Sequence, residues 1–220
     1  MIRRDTIFAA VSLVCNTFVF AAVLWKVAAF FLPGYAGNPD VYRTACFRYF
    51  TIDSNIFAAL GCLAVIPFNV MTLIGKARDI PLALKLFKYA GASAVGLTFM
   101  TVLLFLGPTQ GYAFMYTGVN FWLHLVCPLI VIFTFVLTEC KGRIGFVFSL
   151  IGVVPMLVYG AVYLCEVLML GPENGGWVDF YGFNMGGLWY VFFPVMASAA
   201  YGIGSGVLAL HNLFAKLLKR

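Results

Sequence analysis

The chain has 220 residues, of which 63% are hydrophobic and 10% charged, and its mean hydropathy is +0.99. A soluble domain carries roughly 25% charged residues because its surface faces water, so this composition excludes one and implies a surface that faces lipid. The net charge of +6 does not indicate a nucleic-acid partner, since the basic residues fall in small clusters between apolar runs and are not interleaved with aromatic or polar readers; that distribution is the one that orients membrane proteins.

A helix needs roughly 20 residues to cross about 30 Å of hydrocarbon, and six apolar runs of that size follow one another. The first covers 7–32 and comes after "MIRRD". Its apolar core is longer than the roughly 7–15 residues of a signal-peptide core, and no small-x-small cleavage site ends it, so it is expected to stay as a first helix. The others cover 50–74, 88–107, 119–139, 144–170 and 184–211. Between them lie chain breakers: Pro33-Gly34, Gly37-Asn38-Pro39, Pro81, Gly107-Pro108, Gly171-Pro172 and Gly175-Gly176. With no repeat or long linker, residues 1–220 are expected to form one all-α integral membrane domain of six transmembrane helices.

Six alternating spans put Arg3, Arg4, Lys76, Arg78, Lys85, Lys88, Lys141, Arg143, Lys216, Lys219 and Arg220 on the side of the termini, and only Arg43 and Arg48 on the other. Eleven against two predicts both termini in the cytoplasm. The small-residue patches 91–96 ("GASAVG") and 201–206 ("YGIGSG") are expected to let helices approach closely. Six scattered cysteines, at 15, 46, 62, 127, 140 and 165, form no C-x-x-C pair.

Polar residues gather toward one leaflet. Lys26 lies near the outer end of the first run; Thr51, Asp53, Ser54 and Asn55 open the second; His124 comes early in the fourth, and Glu166 late in the fifth. Charged groups at the bilayer centre cost about 2.5 kcal/mol or more each, so these are expected to face one another or water. At about 100° per residue Thr51, Ser54 and Asn55 share a helix face while Asp53 points away from Thr51. Thr117, Asn120, His124 and Cys127 form a stripe on the fourth run, and Tyr159, Tyr163 and Glu166 one on the fifth. Structural readings stand beside the functional ones: Lys26 snorkelling to the interface, Asp53 and Glu166 neutralising Lys26, Arg43 or Arg48, and the tyrosines anchoring at the membrane surface.

A threonine hydroxyl needs a base to become a nucleophile, and His124 is the histidine at the same depth, His211 lying near the opposite end of the last run. A position early in a helix helps keep the ring neutral. Amides at the start of the second run, with Ser54 or Asn55, are candidates to stabilise an oxyanion. The pattern points to acyl-ester chemistry at the membrane surface. Cys127, one turn from His124, is the rival nucleophile. No G-x-S-x-G elbow, H-E-x-x-H, P-loop or paired metal-ligand motif appears, so neither a metal nor another cofactor is expected.

"FRYFTIDSN" (47–55) and "NFWLHLVCP" (120–128), with a weaker echo in "WVDFYGFN" (177–184), resemble the androgen-induced gene family of multipass membrane proteins, including its bacterial six-helix relatives. The six-span layout extends the resemblance over nearly the whole chain. It implies a threonine hydrolase of lipid esters, notably fatty acid esters of hydroxy fatty acids, with the roles falling on Thr51 and His124 and with Ser54 as a second hydroxyl on the same face. A more distant branch with the same layout, a cysteine-based lipid acyltransferase, would use Cys127. The expectation is a plasma-membrane hydrolase whose partners are membrane lipids or a lipid-ester substrate. A small transporter or ligand-binding protein, with Lys26, Asp53, His124 and Glu166 lining a polar cavity, is the non-catalytic alternative.

Overall fold

The computed structural model describes residues 4–33, 41–76 and 79–218, without the side chain of Met185. The sequence-predicted turn residues Gly34 and Gly37 to Pro39, and the cations Arg3, Arg78, Lys219 and Arg220, lie outside the described residues. Among the described residues all regular structure is helical, and six helices are long and apolar enough to cross a membrane: α1 (Arg4–Ala29), α2 (Phe50–Leu73), α3 (Leu82–Gln110), α4 (Gly118–Thr138), α5 (Phe146–Leu170) and α6 (Trp189–Leu217). Their large apolar side chains, among them Val14, Trp25, Leu104, Val147 and Met169, are exposed on the outside of the bundle, where a lipid environment would cover them.

Two helix starts differ from the sequence reading. α3 begins at Leu82, directly after Pro81, and carries Lys85 and Lys88 within it, whereas the apolar run in the sequence starts only at 88 and both lysines count there among the cations on the side of the termini. Lys88 is in fact 1% exposed, so it does not belong among the loop cations that set orientation. α6 begins at Trp189 and not near 184, because Gly186 (φ 68°) and Gly187 (φ 103°) turn the chain through the left-handed region just before it.

α3 is the axis of the bundle. Every residue from Lys88 to Thr98 is buried, with α2, α4, α5 and α6 packed around the helix and α1 laid against α2 and α4. Small residues make this approach feasible. A Cβ on Gly91 would stand 2.9 Å from the Ala58 Cα on α2, and one on Gly96 would stand 3.0 Å from the Ile203 side chain on α6. The second small-residue patch is less uniform: Gly204 sits against the Tyr89 hydroxyl, whereas Gly202 and Gly206 face open space.

Helical phase is reset at four places by wider π turns: 102–106 in α3, 122–126 and 134–138 in α4, and 165–170 in α5. Such turns insert extra backbone and rotate every side chain that follows. The first of the two in α4 contains His124.

Gly91→Leu forces side-chain carbons into the α2 backbone. Overpacking costs about 1–3 kcal/mol or more, so the variant is expected to unfold at a clearly lower temperature in detergent while Gly206→Ala, in open space, does not. Equal midpoints for the two variants would contradict this packing.

Candidate functional site

Thr51 lies in the first turn of α2 and His124 in the π turn of α4. The fold brings them together: Thr51 Oγ1 is 3.4 Å from His124 Nε2. The second ring nitrogen, Nδ1, is 3.0 Å from the main-chain carbonyl of Met115 in the segment leading into α4. A carbonyl can only accept a hydrogen bond, so Nδ1 carries the proton. In the neutral ring Nε2 is then the acceptor, and the Thr51 hydroxyl is the donor. The imidazole is buried, at 6% exposure, and both its nitrogens are engaged. Its lone pair is therefore aimed at one hydroxyl.

Asn55 ties the two helices together at this point. Its Nδ2 donates to the Thr51 carbonyl (2.7 Å) and to the Leu123 carbonyl on α4 (2.9 Å), which holds the residue before His124 against the turn that bears Thr51. With both amide hydrogens spent, its remaining atom, the buried Oδ1, has no partner among the described residues. Oδ1 is an acceptor, so Asn55 does not supply the oxyanion donor that the sequence suggested. Nor does Ser54, whose Oγ lies 3.2 Å from the Thr51 carbonyl and 2.9 Å from Thr98 Oγ1 on α3. At the start of α2 the Phe50 amide donates to the Tyr181 hydroxyl (3.1 Å), and the Ile52 and Asp53 amides donate to the Tyr49 carbonyl. The Thr51 amide is the first-turn donor without a hydrogen bond among the described residues.

The other residues singled out by sequence do not converge on this pair. Cys127 is buried one turn beyond His124, whose two ring nitrogens lie against Thr51 and Met115. Asn120 donates to the Phe114 carbonyl at 3.5 Å. Lys26 lies with its ammonium 5.0 Å from the centre of the Trp122 ring, and among the described residues no ion pair joins Lys26, Asp53 or Glu166. Asp53 lies within electrostatic range of Cys46, Tyr159 and Tyr181. Burial, with the Asp53 carboxylate adding to it, pushes the Cys46 thiol up to about 11. Glu166 lies on α5; its main-chain carbonyl accepts from Gly171 and Trp177.

An aromatic cap covers this end of the bundle. Asp179 organises it, accepting from the Tyr163 hydroxyl (2.8 Å) and from the Phe183 and Asn184 amides (both 2.9 Å), while the Tyr181 amide donates to the Tyr163 hydroxyl (2.9 Å). The Tyr159 hydroxyl donates to the Arg48 carbonyl at 2.6 Å. Tyr159 and Tyr163 thus dock the 177–184 segment over the start of α2. Burial raises the Tyr181 phenol above its ordinary value, so it remains a neutral hydroxyl at Phe50.

Sequence reasoning missed a second polar cluster, at the lysine-rich end. Lys88 Nζ donates to Asn16 Oδ1 (2.5 Å) and Cys62 Sγ (2.8 Å) and lies 3.8 Å from Glu139 Oε1. That carboxylate oxygen accepts from Ser12 Oγ (2.9 Å) and Asn16 Nδ2 (2.7 Å), and Asn69 Nδ2 donates to Ser12 Oγ (2.9 Å). Three helices contribute, together with Glu139 at the C-terminal cap of α4. The available signal was a lysine and a glutamate at the margins of apolar runs, which reads equally well as two interfacial charges. Seven residues of α2, about 10 Å of rise, separate Cys62 from Asn55, and Ala58, Ala59, Leu123 and Cys127 fill the interval as apolar core. Neither of two clefts in the described residues borders Thr51 or His124; both lie at the lysine-rich end.

In comparisons with known proteins, no family model, curated protein or solved structure matches the chain.

Removing one partner of a buried ion pair strands the other and costs about 3–5 kcal/mol, whereas replacing both with apolar groups is often neutral. Lys88→Met is therefore expected to lower the thermal unfolding midpoint sharply in detergent, and Lys88→Met combined with Glu139→Leu to recover most of the loss. A double variant as unstable as the single one would contradict the pairing.

Proposed function

We propose that the chain is an intramembrane lipid-ester hydrolase in which Thr51 is the nucleophile and His124 the general base. One observation carries the reading: the Met115 carbonyl and the Thr51 hydroxyl engage opposite nitrogens of one buried imidazole, the arrangement in which a third group fixes the tautomer of a base aimed at a nucleophile. The 3.4 Å separation is long for a hydrogen bond, and such contacts tighten when substrate docks. The two residues also stand in the two sequence stretches that carry the family resemblance.

In the proposed reaction the Thr51 oxygen attacks the acyl carbonyl as its proton passes to His124 Nε2. The tetrahedral oxyanion lies near the Thr51 amide. Collapse breaks the ester C–O bond, and the departing alkoxide takes the proton from His124, leaving an acyl-threonine and an alcohol. Water then attacks the acyl carbon, giving its proton to Nε2; when this intermediate collapses, the proton returns to Thr51 Oγ1 and the fatty acid leaves. Substrate would reach the site laterally from lipid. With the lysine-rich end in the cytoplasm, as the charge asymmetry predicts, the site would lie at the outer leaflet of the plasma membrane.

The Lys88–Glu139 cluster is the observation that favours the rival reading, a small transporter or binding protein, because intramembrane ion pairs commonly mark transport pathways. Ala58, Ala59, Leu123 and Cys127 fill the interval between Asn55 and Cys62 as apolar core, which supports the hydrolase reading over a polar pathway along α2.

A fluorophosphonate probe, which transfers its phosphoryl group to an activated hydroxyl with loss of fluoride, tests the proposal. Purified wild-type protein is expected to be labelled, Thr51→Ala to lose labelling, and His124→Ala to react about 10²–10⁴-fold more slowly, with Ser54→Ala and Cys127→Ala retaining it. Full labelling of both Thr51→Ala and His124→Ala would end it.

A further inference from the structure

Membrane-spanning helices end where hydrocarbon gives way to headgroups, and at the lysine-rich end of this bundle two cations stand at that boundary. Lys216 is in the last turn of α6, and Arg143 lies just ahead of α5, which begins at Phe146. Both side chains are exposed, and neither makes an ion pair or a side-chain hydrogen bond among the described residues. Their neighbours are engaged: Lys141 with Asp79 and Asp5, Lys85 with the Lys141 carbonyl, and Lys88 with Asn16, Cys62 and Glu139. Arg143 and Lys216 are uncommitted.

The two are held on one frame. Ala209, Asn212, Leu213 and Lys216 recur at spacings of three and four, so they share a face of α6. Asn212 clasps the loop ahead of α5 to that face: its Oδ1 accepts from the Ile144 amide and its Nδ2 donates to the Ile144 carbonyl, both at 2.8 Å. The residue next to Arg143 is thereby fixed to the helix turn that leads to Lys216. The loop and the helix face together line a cleft of about 610 Å³, with Arg143, Phe146, Leu213 and Lys216 among its walls.

Charge and polarity define the occupant. No carboxylate stands in the lining among the described residues, so two cations without a counter-charge call for an anion. Arg143 offers a planar fork of donors that matches phosphate oxygens, and Lys216 adds a point charge. Phe146 (53% exposed) and Leu213 (47% exposed) present apolar surface in the same cleft, which a free phosphate ion would leave against water and an acyl chain would cover. The volume is roughly twenty times a water's share of about 30 Å³, which is room for a headgroup. A molecule with an anionic head and an apolar tail meets every wall. Basic pockets between spans recognise such headgroups, and the charge asymmetry predicts for this end the cytoplasmic leaflet, where anionic lipids gather.

We propose that this cleft binds an anionic phospholipid, its phosphate at Arg143 and Lys216 and the start of an acyl chain along Phe146 and Leu213. It lies at the opposite end of the bundle from Thr51 and His124 and does not rest on their chemistry. The thermal unfolding midpoint of the purified full chain in an uncharged detergent, titrated at fixed ionic strength with phosphatidylglycerol, phosphatidylcholine or inorganic phosphate, tests it. Phosphatidylglycerol is expected to raise the midpoint saturably, and the other two to leave it in place. Each cation beside an anionic headgroup is worth about fivefold in affinity, so Arg143→Gln combined with Lys216→Gln should need roughly 25-fold more phosphatidylglycerol for the same rise. Arg4→Gln combined with Lys76→Gln removes the same charge from exposed positions at this end outside the cleft, and should need no more than wild type. An equal rise with phosphatidylcholine, a rise reproduced by inorganic phosphate, an undiminished response in the Arg143 and Lys216 double variant, or equal weakening in both double variants would overturn the proposal.

Discussion

Inside a bundle that faces lipid, a polar side chain can satisfy its donors and acceptors only with other parts of the protein, and each buried group left without a partner costs about 1–3 kcal/mol. That constraint shapes both ends of this molecule. At one end Asn55 spends its two amide hydrogens on carbonyls of α2 and α4. At the other, Lys88 and Glu139 gather hydroxyl, amide and thiol partners from α1 and α2. Helix packing and polar satisfaction are linked here, since α3 approaches α2 where Gly91 faces Ala58 and where Lys88 lies against Gly61.

The Thr51–His124 contact follows from this arrangement. The Asn55 bridge sets the separation of α2 and α4, the π turn aims the imidazole, and the Met115 carbonyl decides which nitrogen keeps its proton. None of these three requires a bound ligand, so the imidazole is held in this orientation by the fold itself, as the proposed chemistry would demand of a base. The aromatic cap contributes at one remove: through the Tyr181 hydroxyl it takes up the Phe50 amide and leaves the adjacent Thr51 amide as the local donor.

Much of the architecture was legible in the sequence because it depends on run length. Six apolar stretches of about 20 residues dictate six helices, and depth within them places Thr51 and His124 in the same layer. The angular arrangement was harder to read. Lys26, Asp53 and Glu166 share that layer yet are distributed around the bundle, Lys26 beside Trp122 and Asp53 within electrostatic range of Tyr159 and Tyr181, because depth fixes one coordinate and packing fixes the other two. Nothing in "WLHLV" signals a π turn, and a main-chain acceptor such as the Met115 carbonyl carries no side-chain identity to notice. Lys88 was counted among the loop cations, and Glu139 drew no reading, for a related reason. Each sits at the edge of an apolar run, and only the packing of four helices shows that they meet in the interior and not in water.

The central claim is that an acyl group passes through the Thr51 oxygen. Mass spectrometry of the purified protein, quenched with acid shortly after addition of an activated fatty-acyl ester, tests it most directly. The account predicts a peptide bearing the acyl mass on Thr51, absent when His124 is replaced by alanine. An acyl group found on Cys127 or Ser54, or no adduct while the ester is nevertheless consumed at the wild-type rate, would contradict it.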